Sequence, residues 1–301
     1  MKENIKEYAK VGFVHHMLYP KCTEDADYHV DTLKSFVGRP DIESLDCCIP
    51  YGEERRKSVM PVVRNCGKDV GYALHLFPAR KISLASLDIQ EQALTRLVIA
   101  EQIKLAADIG ATGFVFVSGA DIPDNRPAAQ KAFKTFCRWF CSELQKYKIT
   151  ALLEPFDRTV DKKFLYGPID DCVRLADEIS QEYDNFGIEL DMGHLPLMSE
   201  DFNSAVQRCG RHIKRIHLGN CILKNKSNPL YGDYHPPMGI EDGENDIPEL
   251  AAFLKALLEI GYLSKTGRKP LLIETRPYPG NTVEYTIDDA MNRLDAAWKL
   301  V

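Results

Sequence analysis

Short apolar runs alternate with amphipathic segments from one end of this chain to the other, and that alternation constrains the fold more than any other feature. Strand-like runs are expected at Val11–Leu18, Asp41–Ile49, Val70–Phe77, Thr112–Val117, Ile149–Glu154, Phe186–Asp191, Ile213–Leu218 and Pro270–Glu274. Each is followed by a segment with helical spacing. Continuous apolar strands separated by helices argue for a parallel sheet covered on its outer face, and eight repeats of the unit argue for a (β/α)8 barrel, the TIM-barrel architecture. The 301 residues suit one such domain over 1–301.

Punctuation supports the count. Gly67, Gly110 and Gly261 fall where helices should end, Pro127 opens a helix, and Asp246 with Glu249 forms a capping-box start. Ile89, Ala93, Leu97, Ala100, Ile103 and Ala107 predict one apolar stripe, and Ala129, Phe133, Phe136, Phe140 and Leu144 another. The exception to the compact rhythm is Gly219 to Asn245, a loop of a length usually kept for lids or binding segments. Trp139 and Trp298 fall on outer helices and read as packing residues.

Charge and cysteine usage exclude several classes. With a net charge of −6 and 38 basic residues spread along the chain, no stripe favours nucleic acid or an anionic membrane. No run approaches the ~20 apolar residues of a membrane span, and the N-terminus lacks a signal-like apolar segment, so the expected location is the cytoplasm. Nine scattered cysteines make neither a disulfide framework nor a CxxC pair and read as small buried hydrophobes. The oligomeric state is left open, with a homo-oligomer as one outcome.

Four consecutive strand ends carry hard-metal ligands: Glu154 in LLEPFDR, Asp191 in ELDMGH, His217 in RIHLGN and Glu274 in LLIETR. A carboxylate at a strand end is by itself an ordinary cap or ion-pair partner. Four in succession converge on one side of a barrel mouth, where three carboxylates and an imidazole suit Mn²⁺, with Mg²⁺, Co²⁺ or Zn²⁺ as alternatives. A second set, His194 with Asp233 and His235 from YGDYHPPMG, either ligates another metal or binds substrate hydroxyls. His75, Arg158 and Arg276 are candidate substrate contacts; for the arginines a salt bridge to a nearby carboxylate is the equal alternative. Asn220, beside the His217 tip, is similarly balanced.

The order Glu154, Asp191, His217, Glu274, with His194 three residues after the aspartate, resembles the xylose isomerase-like TIM barrels, in the sugar phosphate isomerase/epimerase group that includes the ketose 3-epimerases. The resemblance implies a small carbohydrate substrate, a divalent ion chelated by two adjacent substrate oxygens, and an enediolate formed by removing the proton alpha to a carbonyl. It implies Glu154 and Glu274 as metal ligands doubling as acid and base, Asp191 and His217 as ligands only, and His194 on a substrate hydroxyl.

The long loop after His217 departs from that group, which usually has an arginine and a Pro-Gly turn there. Its Asp233 and His235 are similar instead to a motif of the type IV apurinic endonucleases, metal-dependent hydrolases. Those need a histidine at the end of strand four, where this chain has Val117, Ser118 and Gly119. C-glycoside-cleaving lyases, which eliminate an aglycone from a 3-keto sugar, share the barrel and supply a third alternative. A non-catalytic sugar-binding barrel is the fourth, disfavoured because both strand-end glutamates are present.

Overall fold

A computed structural model describes residues 3–74 and 82–301. Eight strands close into a barrel in sequence order, every neighbouring pair parallel. They are β1 (Ala9–Val14), β2 (Ser44–Cys47), β3 (Asp69–Ala73), β4 (Gly113–Phe116), β5 (Thr150–Leu153), β6 (Phe186–Asp191), β7 (Ile213–Leu218) and β8 (Lys269–Ile273). The long helices between and after them are α1 (Ala26–Val37), α2 (Glu53–Arg64), α3 (Ile89–Asp108), α4 (Arg126–Gln145), α5 (Ile169–Ile179), α6 (Phe202–Cys209), α7 (Ile247–Glu259) and α8 (Val283–Leu300).

Helix starts follow their caps. Asp25, Asp88 and Asp201 accept backbone N–H bonds at α1, α3 and α6, and Asp246 with Glu249 forms the expected capping box at α7. The aromatic stripe of α4 packs inward, with Phe116 of β4 lying 4.9 Å from Phe140 and 6.0 Å from Phe133 by ring centroid. Trp298 is buried and donates to the Glu3 carbonyl at 2.8 Å, while Trp139 is half-buried. All nine cysteines are free. No helix among the described residues is long and apolar enough to cross a membrane.

Three expectations need correction. β1 stops at Val14, and His15–Leu18 forms a helical turn instead of extending the strand. β2 is confined to Ser44–Cys47. On α3 the predicted stripe faces outward at its N-terminal half: Ile89 and Leu97 are 81% and 72% exposed, and the buried face runs through Thr95, Val98, Ile99, Gln102, Ile103 and Ala106. Apolar residues surround this helix on all sides, so periodicity alone does not choose the face that meets the barrel. The outer half of the strand expected at Val70–Phe77, and His75 with it, lies outside the described residues.

The interior contains a buried polar ladder. Arg215, on β7 two residues before His217, is 2% exposed and lies 2.7 Å from Asp46 and 3.1 Å from Asp69, with Ser44 as a further acceptor at 3.2 Å. Gly71 makes room for it: a Cβ there would stand 2.0 Å from Asp46 Oδ1 and 2.9 Å from Arg215 Cζ. Strand pairing thus fixes a charged layer immediately below the mouth.

Candidate metal centre

Pairing also places the four strand-end residues side by side. Asp191 is in register with His217 across β6 and β7, and β6 carries a register shift between Ile188 and Glu189 that re-aims its last residues. Glu154 and Glu274 sit one residue beyond β5 and β8, their amides bonded to the Phe116 and Leu218 carbonyls. Carboxylate oxygens of Glu154, Asp191 and Glu274 all lie within 4.8 Å of one another.

His217 Nε2 lies 2.8 Å from Asp46 Oδ2, an acceptor, so the ring hydrogen belongs on Nε2 and the Nδ1 lone pair faces Glu274 and Glu189. Nδ1 approaches Glu274 Oε2 to 2.6 Å without hydrogen-bonding alignment, and both atoms are buried without a hydrogen-bond partner. Both Glu189 oxygens are unpartnered too, with Nδ1 of His217 3.4 Å from Oε1.

The second set joins the first. His194 begins a helical turn after β6 and directs Nδ1 to the Pro155 carbonyl at 3.1 Å, which leaves Nε2 facing Asp191 Oδ2 and Asp233 Oδ1, each at 3.3 Å. Phe156 covers the ring, 4.1 Å away by centroid. His235 Nε2 is 2.9 Å from Asp233 Oδ1, and its Nδ1 is 3.6 Å from Asp191 Oδ2. Asp191, His194 and His235 thus form a second group with ligand atoms within 4.8 Å.

The long loop is built to deliver these residues. Asn220 receives the amides of Cys221 and Asn245 and donates to Pro237, while Ile222 bridges to Gly232 and Gly243. His235 itself has a φ of 49°, in the left-handed region that residues other than glycine adopt only uncommonly. Gly219 lets the loop pass the ligands: a Cβ there would meet Asp191 Oδ1 at 2.7 Å.

Electrostatics follow from packing so many ionisable groups together. Burial, reinforced by Glu189, raises the Glu154 carboxyl well above its usual range, and burial lifts Glu189 to about 8. Burial would raise Glu274 as well, but the imidazoles of His235 and His217 outweigh it and hold the carboxyl below its ordinary value. Burial opposes charge on His235, yet Asp233 and Glu274 raise it to about 9. His194 and His217 are raised for the same reason, by Asp233 and Asp191 in one case and Glu189 and Glu274 in the other.

The donor set fits divalent cations. Lone pairs of His194 and His217 point at carboxylate oxygens, and acceptor facing acceptor at this range is tolerable only with a proton or a cation between them. Asp191 Oδ2, Asp233 Oδ1 and His235 Nδ1 add further unpartnered buried acceptors to the same space. Two overlapping groups, sharing Asp191, could hold one ion or two.

A cavity of about 180 Å³ opens onto this cluster, with Met17, Phe116 and Phe156 on its apolar side and Glu154, His217, Asp233, His235 and Glu274 on its polar side. Asp191, His194 and Glu189 do not line it. A larger cavity of about 340 Å³, between the long loop and α8, contains none of the candidate ligands.

Arg276 lines the smaller cavity, and Lys162, which sequence reasoning passed over, reaches it while pairing with Asp233 at 3.2 Å. Arg158 takes its ion-pair alternative, with Asp171 at 2.6 Å and the Leu165 carbonyl at 2.6 Å, and does not line the cavity. Glu189 and Asp46 were also missed. The one available signal was parity, because Glu189 lies two residues before Asp191 and alternate strand residues share a face.

Comparison with solved structures shows the same fold at low identity. A D-tagatose 3-epimerase-like protein superposes with a TM-score of 0.73 at 14% identity, covering 97% of this chain and 98% of its own. The 3-keto-D-glucoside 4-epimerase of E. coli gives 0.68 at 12% identity over 94% and 98% of the two chains. A family 2 AP endonuclease from Brucella melitensis gives 0.68 at 14% identity over 93% and 96%. No curated protein matches the sequence. The profile of the family described as xylose isomerase-like TIM barrel matches residues 53–297, and the chain belongs to that family.

Proposed function

We propose that the protein is a divalent-metal-dependent isomerase or epimerase acting on a keto sugar or related polyol by proton abstraction alpha to the carbonyl. The observation that carries this reading is the division of labour among the carboxylates: Glu154 and Glu274 line the cavity, whereas Asp191, within 4.8 Å of both, does not. A bound divalent ion, with Mn²⁺ the leading candidate, would polarise the carbonyl and stabilise negative charge developing on its oxygen. Glu154 and Glu274 then serve as base and acid on the substrate carbon, one removing the proton and the other returning it. Asp191 and His217 hold the ion, and the apolar side of the cavity excludes bulk water. Lys162 and Arg276, which line the cavity, would bind substrate oxygens in this reading. The epimerase names among the structural neighbours support a carbohydrate substrate.

The test is incorporation of solvent deuterium at carbon into candidate keto sugars, followed by NMR with and without added metal. Metal-dependent exchange is expected; no exchange with any keto sugar, in a protein with metal bound, overturns the reading.

A second reading, a two-ion hydrolase, draws on His194. Its Nε2 turns to Asp191 and Asp233 instead of the cavity. Metal-dependent phosphoester cleavage without carbon exchange would select it. A β-eliminating lyase would show exchange together with release of an aglycone.

A further inference from the structure

Two adjacent histidines at the end of β1 face different surroundings. His16 lines the cavity, whereas His15 is fully buried against α1, stacked on His29 with ring centroids 5.4 Å apart and packed on Phe36. Cys22, on the helical turn Pro20–Thr23, is also buried, and ligand atoms of His15, Cys22 and His29 lie within 4.8 Å of one another. Cys48, just beyond β2, adjoins two of them: its Sγ is 4.0 Å from His29 Nε2, and the neighbouring Cys22 thiol, together with burial, raises its own thiol well above the usual range. None of these four side chains lines the cavity or takes part in the carboxylate cluster.

The ring hydrogens are assigned by the neighbours. Thr32 Oγ1 donates to the Tyr28 carbonyl at 2.8 Å, so it accepts from His15 Nε2 at 3.2 Å. His15 Nδ1 then carries the lone pair, and it is buried with no hydrogen-bond partner. The Cys48 carbonyl, 3.1 Å from His29 Nε2, can only accept, which places the hydrogen of a neutral His29 ring on Nε2. A ring nitrogen fixed by a hydrogen bond to its opposite nitrogen is the arrangement that orients imidazole toward a metal. Small buried cysteines used only for packing would leave the buried His15 acceptor unexplained, an unpaired polar atom of the kind folded proteins rarely keep.

We propose that His15, Cys22 and His29, with Cys48 as fourth ligand, form a zinc site separate from the carboxylate centre. Two imidazoles and two thiolates select zinc over the hard cations, and a set closed by four protein ligands is structural. Tetrahedral ligands at about 2.0–2.3 Å from zinc stand roughly 3.3–3.8 Å apart, so small side-chain adjustments close the spacing of His15, Cys22 and His29, while Cys48, outside that 4.8 Å group, must rotate further to complete the set. Binding releases the cysteine protons to solvent. The ion would tie the ends of β1 and β2 to α1 and fix the turn that presents His16 and Met17 to the cavity.

Cobalt tests this without any assay of activity. The carboxylate centre contains no sulfur, so a thiolate-to-cobalt charge-transfer band in the near ultraviolet reports on cysteine ligation alone. Chelator-stripped full-length protein titrated with Co²⁺ should develop this band, saturating at about one thiolate-bound ion per chain. Cys22→Ser should weaken it by about half, the Cys22→Ser/Cys48→Ser double variant should abolish it, and His29→Gln should shift or weaken it, with far-ultraviolet circular dichroism retained. Absence of the band in the wild-type protein at saturating cobalt, or its persistence unchanged in folded Cys22→Ser, overturns the proposal. The wild-type titration decides the matter even if a variant fails to fold.

Discussion

His217 and Asp46 meet 2.8 Å apart, although 171 residues separate them in the chain. The carboxylate fixes the hydrogen on Nε2 and leaves Nδ1 directed at Glu274 and Glu189. Partners of this kind typically contribute 10- to 100-fold to metal affinity. Asp46→Asn should therefore weaken metal binding by about that factor, measured by competition with a chromophoric chelator. Unchanged affinity in a folded variant would deny Asp46 this positioning role.

Asp46 is also bound to Arg215, and removing the cation should cost more than removing one of its partners. Arg215→Met leaves Asp46 and Asp69 buried opposite an apolar chain. Breaking a buried ion pair from one side typically costs about 3–5 kcal/mol. Urea unfolding should shift by that amount. A variant as stable as the parent would mean that solvent or rearrangement satisfies both aspartates.

Much of this architecture is written locally in the sequence, and the parts that escaped are those that depend on non-local pairing. FGIELDMGH announces a strand and a terminal carboxylate, and four such endings in succession point to one mouth because a closed parallel barrel orders its strands. Nothing near Asp46 reveals that it faces His217, since their meeting depends on barrel closure. Glu189 was obscured by the reading of its strand as continuously apolar; the inside of this barrel carries a charged layer where branched apolar side chains are usual. The face of α3 was misjudged because apolar residues surround it, so no single stripe stood out.

Glu154 and Glu274 are assigned the proton transfers, and each amide variant tests one. Glutamine keeps the shape and one acceptor oxygen but cannot exchange a proton as a carboxyl does. Glu154→Gln and Glu274→Gln should each reduce solvent exchange into substrate by roughly 10²- to 10⁴-fold. Metal content should be measured alongside, since loss of exchange with the ion retained separates acid–base work from ligation. Near-parental exchange in either variant would refute its assigned role.

His194 decides how many ions the carboxylate centre takes. Its Nε2 sits 3.3 Å from both Asp191 and Asp233, and the ring is sealed by Phe156. If the second group binds an ion, His194→Ala should remove one divalent ion per chain from that centre and leave the group around Glu154 and Glu274 loaded. Elemental analysis before and after substitution would show the difference, with the zinc site proposed at His15 and Cys22 counted separately by its cobalt band. An unchanged total would leave His194 as a packing and orienting residue.

The cluster also predicts how stability depends on pH once divalent ions are removed. His235 is raised from 6.5 to about 9, chiefly because Asp233 outweighs the effect of burial, and its folded form therefore holds a proton that the unfolded chain has already lost. Its contribution is fully present below 6.5 and disappears as the pH rises through about 9. Glu189 adds to the trend: burial raises it from 4.5 to about 8, so the native state binds the extra proton and loses stability as pH rises across that interval. The melting temperature of chelator-treated protein should accordingly fall between about pH 6.5 and 9. Saturating divalent metal should flatten the slope, because the cation replaces protons in neutralising the same carboxylates. A melting temperature that rises over this range in the stripped protein would contradict the protonation pattern assigned to His235 and Glu189.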